Sequence, residues 1–91
     1  MADIINLPEN LTIHTINDSY AELNQKIQET GEEIVFDAGA VETIDTSGLQ
    51  SLLMLIRTAE SNQRSISWQN TNELFMTSAN NIGLSEALKL A

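Results

Sequence analysis

Apolar residues alternate with polar ones in short segments of this chain, and these segments predict strands. Residues 11–16 show the alternation that is typical of a strand with one buried face. Residues 65–69 show it again, and residues 4–7 are predicted as an edge strand. Residues 33–37 form a continuous apolar run rich in β-branched side chains, which predicts a central strand buried on both faces.

Helices are predicted where apolar residues recur every three or four positions. This spacing occurs at residues 20–30, where Gly31 ends the helix, and most clearly at residues 49–62. Two shorter helices are predicted at residues 71–80 and 84–90. The buried stripe of the long helix is expected to comprise Leu49, Leu52, Leu53, Ile56 and Ala59.

Strands that alternate with helices along a chain favour a mostly parallel sheet covered by helices. We therefore expect one α/β domain over residues 1–91, with a four- to five-stranded, mostly parallel sheet, an antiparallel edge at its N-terminus and about four helices. Trp68 is expected to pack on one side of the sheet. No glycine-rich phosphate loop follows a predicted strand, so the element that binds nucleotides in related architectures is missing.

The charge of the chain argues against several classes of partner. Thirteen acidic and four basic side chains leave a net charge of −9, and the basic residues are not clustered. Binding to nucleic acid or to an anionic membrane is not expected, because both need clustered cations. The acidity has two interpretations: it keeps the protein soluble, or it fits a partner with a basic face.

Nothing in the sequence predicts membrane insertion or disulfide bonds. The longest apolar run extends only from Leu52 to Ile56, whereas a helix needs about 20 apolar residues to cross a bilayer. The first residues lack the basic start and long apolar stretch of a signal peptide. The absence of cysteines fits a reducing compartment. We expect a cytoplasmic protein that is not inserted in a membrane.

Catalytic, metal-binding and cofactor sites are not predicted. His14 is the only histidine, and it occupies a polar position of a predicted strand. We therefore interpret it as exposed or structural rather than as a metal ligand. Asp37 and Asp45 could act as a carboxylate pair, but no nucleophile, base or cofactor loop accompanies them. We expect neither enzymatic activity nor a bound metal or cofactor.

The start of the long helix is the most informative feature of the sequence. Asp37 ends the central strand, and after a loop the run Asp45-Thr46-Ser47-Gly48 lies directly before the helix. Such side chains cap backbone N–H groups, and the positive end of a helix favours a phosphate. Gly48 lacks a side chain and would let another molecule approach closely. On these residues alone, an ordinary helix cap is the simpler interpretation.

The segment from Ile34 to Ala59, with the run Ile-Asp-Thr-Ser-Gly-Leu at residues 44–49, resembles the STAS domains of anti-sigma factor antagonists. The predicted element order and the length of nearly the whole chain are similar to that family. The resemblance implies that Thr46 is phosphorylated by a partner kinase, with Ser47 as the second choice. The family's two acidic positions beside that hydroxyl are matched by Asp37 and Asp45.

The resemblance leaves two functions open. Many antagonists have another glycine where this chain has Gln50, and a glycine often precedes the fourth strand where residues 62–64 have none. The small STAS subunit of the lipid-trafficking ABC transporter that maintains outer-membrane asymmetry shows the same departures. The chain is therefore either a phosphorylation-switched antagonist that binds an anti-sigma factor or serine/threonine switch kinase, or a constitutive adaptor that binds an ABC transporter ATPase.

In both cases we expect a protein that is monomeric when alone and binds its partner through the start of the long helix. Met54 faces outward by its position on that helix, and it is either an ordinary surface residue or an anchor of the interface. The residues assigned to the interface are Asp37, Asp45, Thr46, Ser47, Gly48, Gln50, Ser51 and Met54.

Overall fold

The computed structural model describes residues 3–90, which contain five strands and three helices. The elements in chain order are β1 (Asp3–Asn6), β2 (Asn10–Leu11), α1 (Ile16–Glu29), β3 (Glu33–Asp37), β4 (Thr43–Ile44), α2 (Thr46–Ser61), β5 (Ser65–Gln69) and α3 (Glu73–Asn81). The predicted α/β class with alternating strands and helices is confirmed, whereas the numbers of strands in the main sheet and of helices differ from the prediction.

The main sheet has three strands in the order β1-β3-β5, and all of them run parallel. The strands β2 and β4 form a separate parallel pair. The predicted antiparallel N-terminal edge is therefore wrong. The reason is that α1 carries the chain back across the sheet, so that β3 starts at the same end as β1 and runs in the same direction.

The strand predicted at residues 11–16 ends at Leu11, because the next residues form a turn. The N–H groups of Thr15 and Ile16 both donate to the carbonyl of Thr12, at 3.0 and 2.8 Å. The Thr15 hydroxyl accepts a hydrogen bond from the Thr12 N–H at 3.2 Å, which closes the turn further. Helix α1 begins directly afterwards at Ile16, earlier than predicted. His14 therefore lies in an exposed turn and not in a strand.

The segment 84–90 was predicted to be a fourth helix, but it forms a series of turns among the described residues. The N–H of Leu88 donates to the carbonyl of Leu84 at 2.9 Å, and the bond is not continued into a helix. The segment is held by Trp68, whose Nε1–H donates to the carbonyl of Leu88 at 2.7 Å. Trp68 packs between Phe36 and Phe75, with ring centroids 5.3 and 5.0 Å away.

The hydrophobic core lies on one face of the main sheet. Strands β1, β3 and β5 follow one another in a single direction across the sheet, so right-handed crossovers place both α1 and α2 on the same side. Ile5, Ile34 and Phe36 point to that side and are buried. On the opposite face Val35 is only half-buried. The prediction that β3 is buried on both faces is therefore wrong.

Helix α2 packs against β2 through a glycine. It begins at Thr46 rather than Leu49, and its buried face includes Leu55 and Gly48, whereas Leu53 is only half-buried. A Cβ atom on Gly48 would lie 2.1 Å from the carbonyl oxygen and 2.8 Å from the carbonyl carbon of Leu11. Such distances are sterically impossible, so helix and strand can approach this closely only because residue 48 is glycine.

We expect Gly48→Ala to destabilise the fold by about 1–3 kcal/mol, because the added methyl group would push α2 away from the Leu11 backbone. Urea unfolding measures this loss. Gly31→Ala is the matched control, since among residues 3–90 its Cβ would meet only Asp3 Oδ2, at 3.6 Å. It should leave stability unchanged or raise it by up to about 1 kcal/mol. Equal midpoints for wild type and Gly48→Ala would contradict the packing argument.

Candidate functional site

Asp45 joins the start of α2 to the turn after β2. Its Oδ1 accepts a hydrogen bond from the Gly48 N–H at 3.0 Å, which makes Asp45 the N-cap of α2. Its Oδ2 accepts from the N–H of Ile13 at 2.9 Å. The Asp45 N–H donates to the carbonyl of Leu11 at 3.1 Å. The predicted cap is confirmed, and one carboxylate holds two segments of the chain together.

The hydrogen bonds of Asp45 keep its carboxyl group ionised. The N–H of Ile13 is the main cause that lowers the pKa of Asp45, followed by the N–H of Gly48. The N–H of Ser47 and the charge of nearby His14 lower this pKa further, while partial burial opposes them. A negative charge is therefore fixed at the N-terminus of α2, where the helix dipole also favours it.

Thr46 and Ser47 form the first turn of α2 beside this carboxylate. The Thr46 side chain is exposed, and its hydroxyl makes no hydrogen bond to another residue of the described chain. The Ser47 side chain is half-buried. Both residues precede the first N–H that can bond inside the helix. The exposed hydroxyl of Thr46 is therefore the more accessible of the two candidate acceptors.

Asp37 makes its hydrogen bonds away from the start of α2. Its Oδ1 accepts from the Gly39 N–H at 2.8 Å, and its Oδ2 accepts from the side chains of Gln69 and Asn70, both at 2.8 Å. These bonds lower its pKa, the Gly39 N–H most strongly. The strand register places Asp37 beside Gln69, on the face opposite to Phe36. Asp37 therefore braces the loops after β3 and β5 and shares no described hydrogen-bond partner with Asp45.

The outward face of α2 continues from Thr46. Gln50 and Met54 follow at intervals of four residues, so the three side chains form one stripe along the helix. Met54 is 60% exposed, Gln50 is exposed and Ser51 is half-buried. Gly48 cannot belong to a binding surface, because it is buried. The close approach that its missing side chain permits is made by Leu11 of the same chain.

Sequence reasoning missed the residues of the turn between β2 and α1. Ile13 is 63% exposed and donates its N–H to Asp45, so an apolar side chain lies on the surface next to the capped helix start. The signal for this turn was the pair Thr12 and Thr15, since hydroxyl side chains compete with strand hydrogen bonds by bonding nearby backbone groups.

Other kinds of site are not formed by the described residues. No group of three or more His, Cys, Asp or Glu residues between positions 3 and 90 is arranged to hold a metal ion. None of the helices in that range has the length and apolar composition that a membrane span requires. A cavity of about 80 Å³ lies between β1 and α1, lined by Asn6, Pro8, Ser19, Glu22 and Leu23. None of these residues belongs to the start of α2.

We expect Asp45→Asn to destabilise the protein by about 1–2 kcal/mol at neutral pH, because an amide cannot accept both backbone hydrogen bonds through two oxygens. The pKa of Asp45 is lower in the folded state than the ordinary value of 3.8. The carboxylate therefore stabilises the fold above that pH, and its contribution is lost as the pH falls through the folded pKa. Urea unfolding from pH 7 to pH 2 should show the two proteins converging. Glu42→Gln, at an exposed position, removes one negative charge without removing the cap and is the control for net charge. A difference in the free energy of unfolding between wild type and Asp45→Asn that stays constant from pH 7 to pH 2 would contradict the prediction.

Comparisons with known proteins identify the fold and the family of the chain. A solved structure of a sulfate transporter family protein from Wolinella succinogenes is similar, with a TM-score of 0.77. The two are 18% identical, and the match covers 96% of this chain and 70% of that one, which supports a shared fold. No curated protein matches the chain. The family model described as "Mlab, STAS domain" matches residues 2–90. The chain therefore belongs to this family of STAS domains.

Proposed function

We propose that this STAS domain binds a partner protein through the start of α2 and that phosphorylation of Thr46 switches the binding, as in an anti-sigma factor antagonist. The observation that supports this best is the exposed hydroxyl of Thr46, which bonds to no other residue in the range 3–90 and follows directly after the ionised cap Asp45. The partner is a serine/threonine switch kinase of the anti-sigma type. It supplies ATP and the phosphoryl-transfer chemistry, and this chain supplies the acceptor hydroxyl.

The accessibility of the two hydroxyl residues favours Thr46 over Ser47. A kinase must bring the γ-phosphate of ATP in line with the acceptor oxygen. The acceptor side chain therefore has to project from the protein surface, where the kinase active site can reach it. Thr46 is exposed at the first position of α2, whereas Ser47 is half-buried and its N–H points towards Asp45. The chain can present Thr46 without unwinding the helix.

The unphosphorylated surface is suited to docking. The stripe of Thr46, Gln50 and Met54 carries no charge, and Met54 is a flexible apolar side chain that can fill a pocket of a partner. Ile13 adds a second exposed apolar side chain, held next to the helix start by its bond to Asp45. Burial of these two side chains against a partner provides the favourable free energy of binding.

Phosphorylation changes the interface more than the fold. A phosphate adds about −1.5 to −2 charges, and at the start of a helix the unpaired N–H groups and the dipole tolerate them. In a docked interface the same group loses its water and lies beside the negative charge of Asp45. A buried charge without a cationic partner costs several kcal/mol, so the phosphorylated form dissociates.

A second function is favoured by the comparisons. The matching family is described by the words "Mlab, STAS domain", and the similar solved structure is titled as a sulfate transporter family protein. On this alternative the chain is a constitutive adaptor that binds the ATPase of an ABC-type transporter. The surface around Thr46 then serves as a contact, and its hydroxyl accepts no phosphate.

We expect Thr46→Glu to weaken partner binding by about 2–5 kcal/mol, or roughly 30-fold and more, while stability changes by less than about 1 kcal/mol. Calorimetric titration with the purified partner measures the first quantity, and urea unfolding measures the second. Thr46→Val removes the hydroxyl without adding charge and should retain most of the affinity. Gln28→Glu adds the same charge at an exposed position of α1, outside the stripe on α2, and should bind like the wild type.

The loss of stability in Thr46→Glu with intact binding would show that Thr46 is only part of the cap. The two functions are separated by adding ATP to the complex that the domain forms in source cells. A kinase partner and one phosphate mapped to Thr46 support the switch. A transporter ATPase that stays bound, with no phosphate on the domain, supports the adaptor. A phosphate mapped to Ser47 would move the switch by one residue.

A further inference from the structure

One face of the main sheet is left open by the chain topology. Its central row consists of Ile4, Val35 and Ser67, which lie side by side in the strand register. Ile4 is 56% exposed, Ser67 is exposed, and Val35 in the central strand is only half-buried. All-parallel sheets normally have both faces covered, because their strands are apolar on both sides.

The charges on this face have one sign. Glu33 and Asp37 point to the same side as Val35, since alternate residues of a strand share a face. None of the chain's four basic residues lies in β1, β3 or β5, so no positive side chain of these strands offsets them. The remaining side chains of the face are polar and uncharged: Asn6, Ser65, Ser67 and Gln69. The small apolar centre therefore lies between two carboxylates, one near each end of the central strand.

The size of the face fits one helix. Neighbouring strands lie about 4.8 Å apart, so the outer strands are separated by about 10 Å, and five residues extend about 16 Å. An α-helix is about 10 Å wide, and 16 Å corresponds to about 11 residues. A stable dimer buries about 800 Å² on each partner, far more than this face offers. A second copy would also place Glu33 and Asp37 against identical charges, which disfavours self-association.

We infer that this open sheet face docks a single amphipathic helix of a partner protein, with an apolar stripe on Ile4 and Val35 and with lysine or arginine side chains on both sides of that stripe, opposite Glu33 and Asp37. Both crossover helices lie on the other face, because β1, β3 and β5 follow one another across the sheet in chain order. The docked helix would form the second helical layer on this face. This surface is separate from the stripe on α2, and its binding is independent of Thr46.

The test uses two synthetic helical peptides of about 12 residues with the same Leu/Ala stripe, one flanked by lysines and one by glutamates. Fluorescence anisotropy at physiological salt should show saturable binding of the lysine peptide and none of the glutamate peptide. Ile4→Lys should weaken the lysine peptide about tenfold or more. Leu74→Lys is the matched control, because Leu74 is also an exposed apolar side chain, at 43% against 56% for Ile4, and the charge change is equal. It should change the affinity less than about twofold.

Ser67→Arg and Thr58→Arg form a second matched pair, since both positions are exposed. Only Ser67→Arg, in the central row of the face, should weaken binding of the lysine peptide, and circular dichroism should show that all variants are folded. Thr46→Glu should leave this affinity unchanged, so the result is independent of the switch. The inference is overturned if the lysine peptide does not bind, if both members of each pair lose affinity equally, or if the glutamate peptide binds as well. A wild-type dimer in sedimentation that Ile4→Lys dissociates would also overturn it.

Discussion

The contact between the first turn of α2 and the backbone around Leu11 determines the geometry of the rest of the site. Gly48 lets the helix lie against the Leu11 carbonyl, and the Asp45 carboxylate holds the N–H of Ile13 on one side and the N–H of Gly48 on the other. A larger residue at position 48 would separate the two segments. The loss of the carboxylate would leave two backbone donors without their partners.

Among the four residues 45–48, the ones that hold the helix start in place differ from the one that we propose a partner recognises. Asp45 bonds to backbone N–H groups and Gly48 packs against Leu11, whereas Thr46 lies on the surface and its hydroxyl bonds to no other described residue. On the proposed function, the backbone geometry that a kinase or another partner meets is maintained by contacts of Asp45 and Gly48 within the chain itself. For this reason a charge added to Thr46 is expected to change the proposed interface more than the fold, since that side chain is exposed.

The strand order has an equally direct consequence for the opposite side of the molecule. The three parallel strands follow one another across the sheet in chain order, so both crossover helices lie on one face. The buried residues Ile5, Ile34 and Phe36 all point to that face. The other face remains acidic with a small apolar centre at Ile4 and Val35. A chain of 91 residues thus presents two separate surfaces of different chemistry.

The sequence by itself determined the α/β class, the strands at residues 33–37 and 65–69, the long helix and the capped start at Asp45. These features follow from local periodicity and from side chains that bond to neighbouring backbone groups, so a short window of sequence contains their causes. It could not show that residues 12–15 turn, that β1 pairs parallel to β3, or that one face of β3 stays open. It also could not show that the space beside Gly48 is occupied by the backbone of Leu11 and not by a partner. Only the tertiary structure decided these points, because each depends on which distant segment comes into contact, and strand order and helix packing are set by the whole chain.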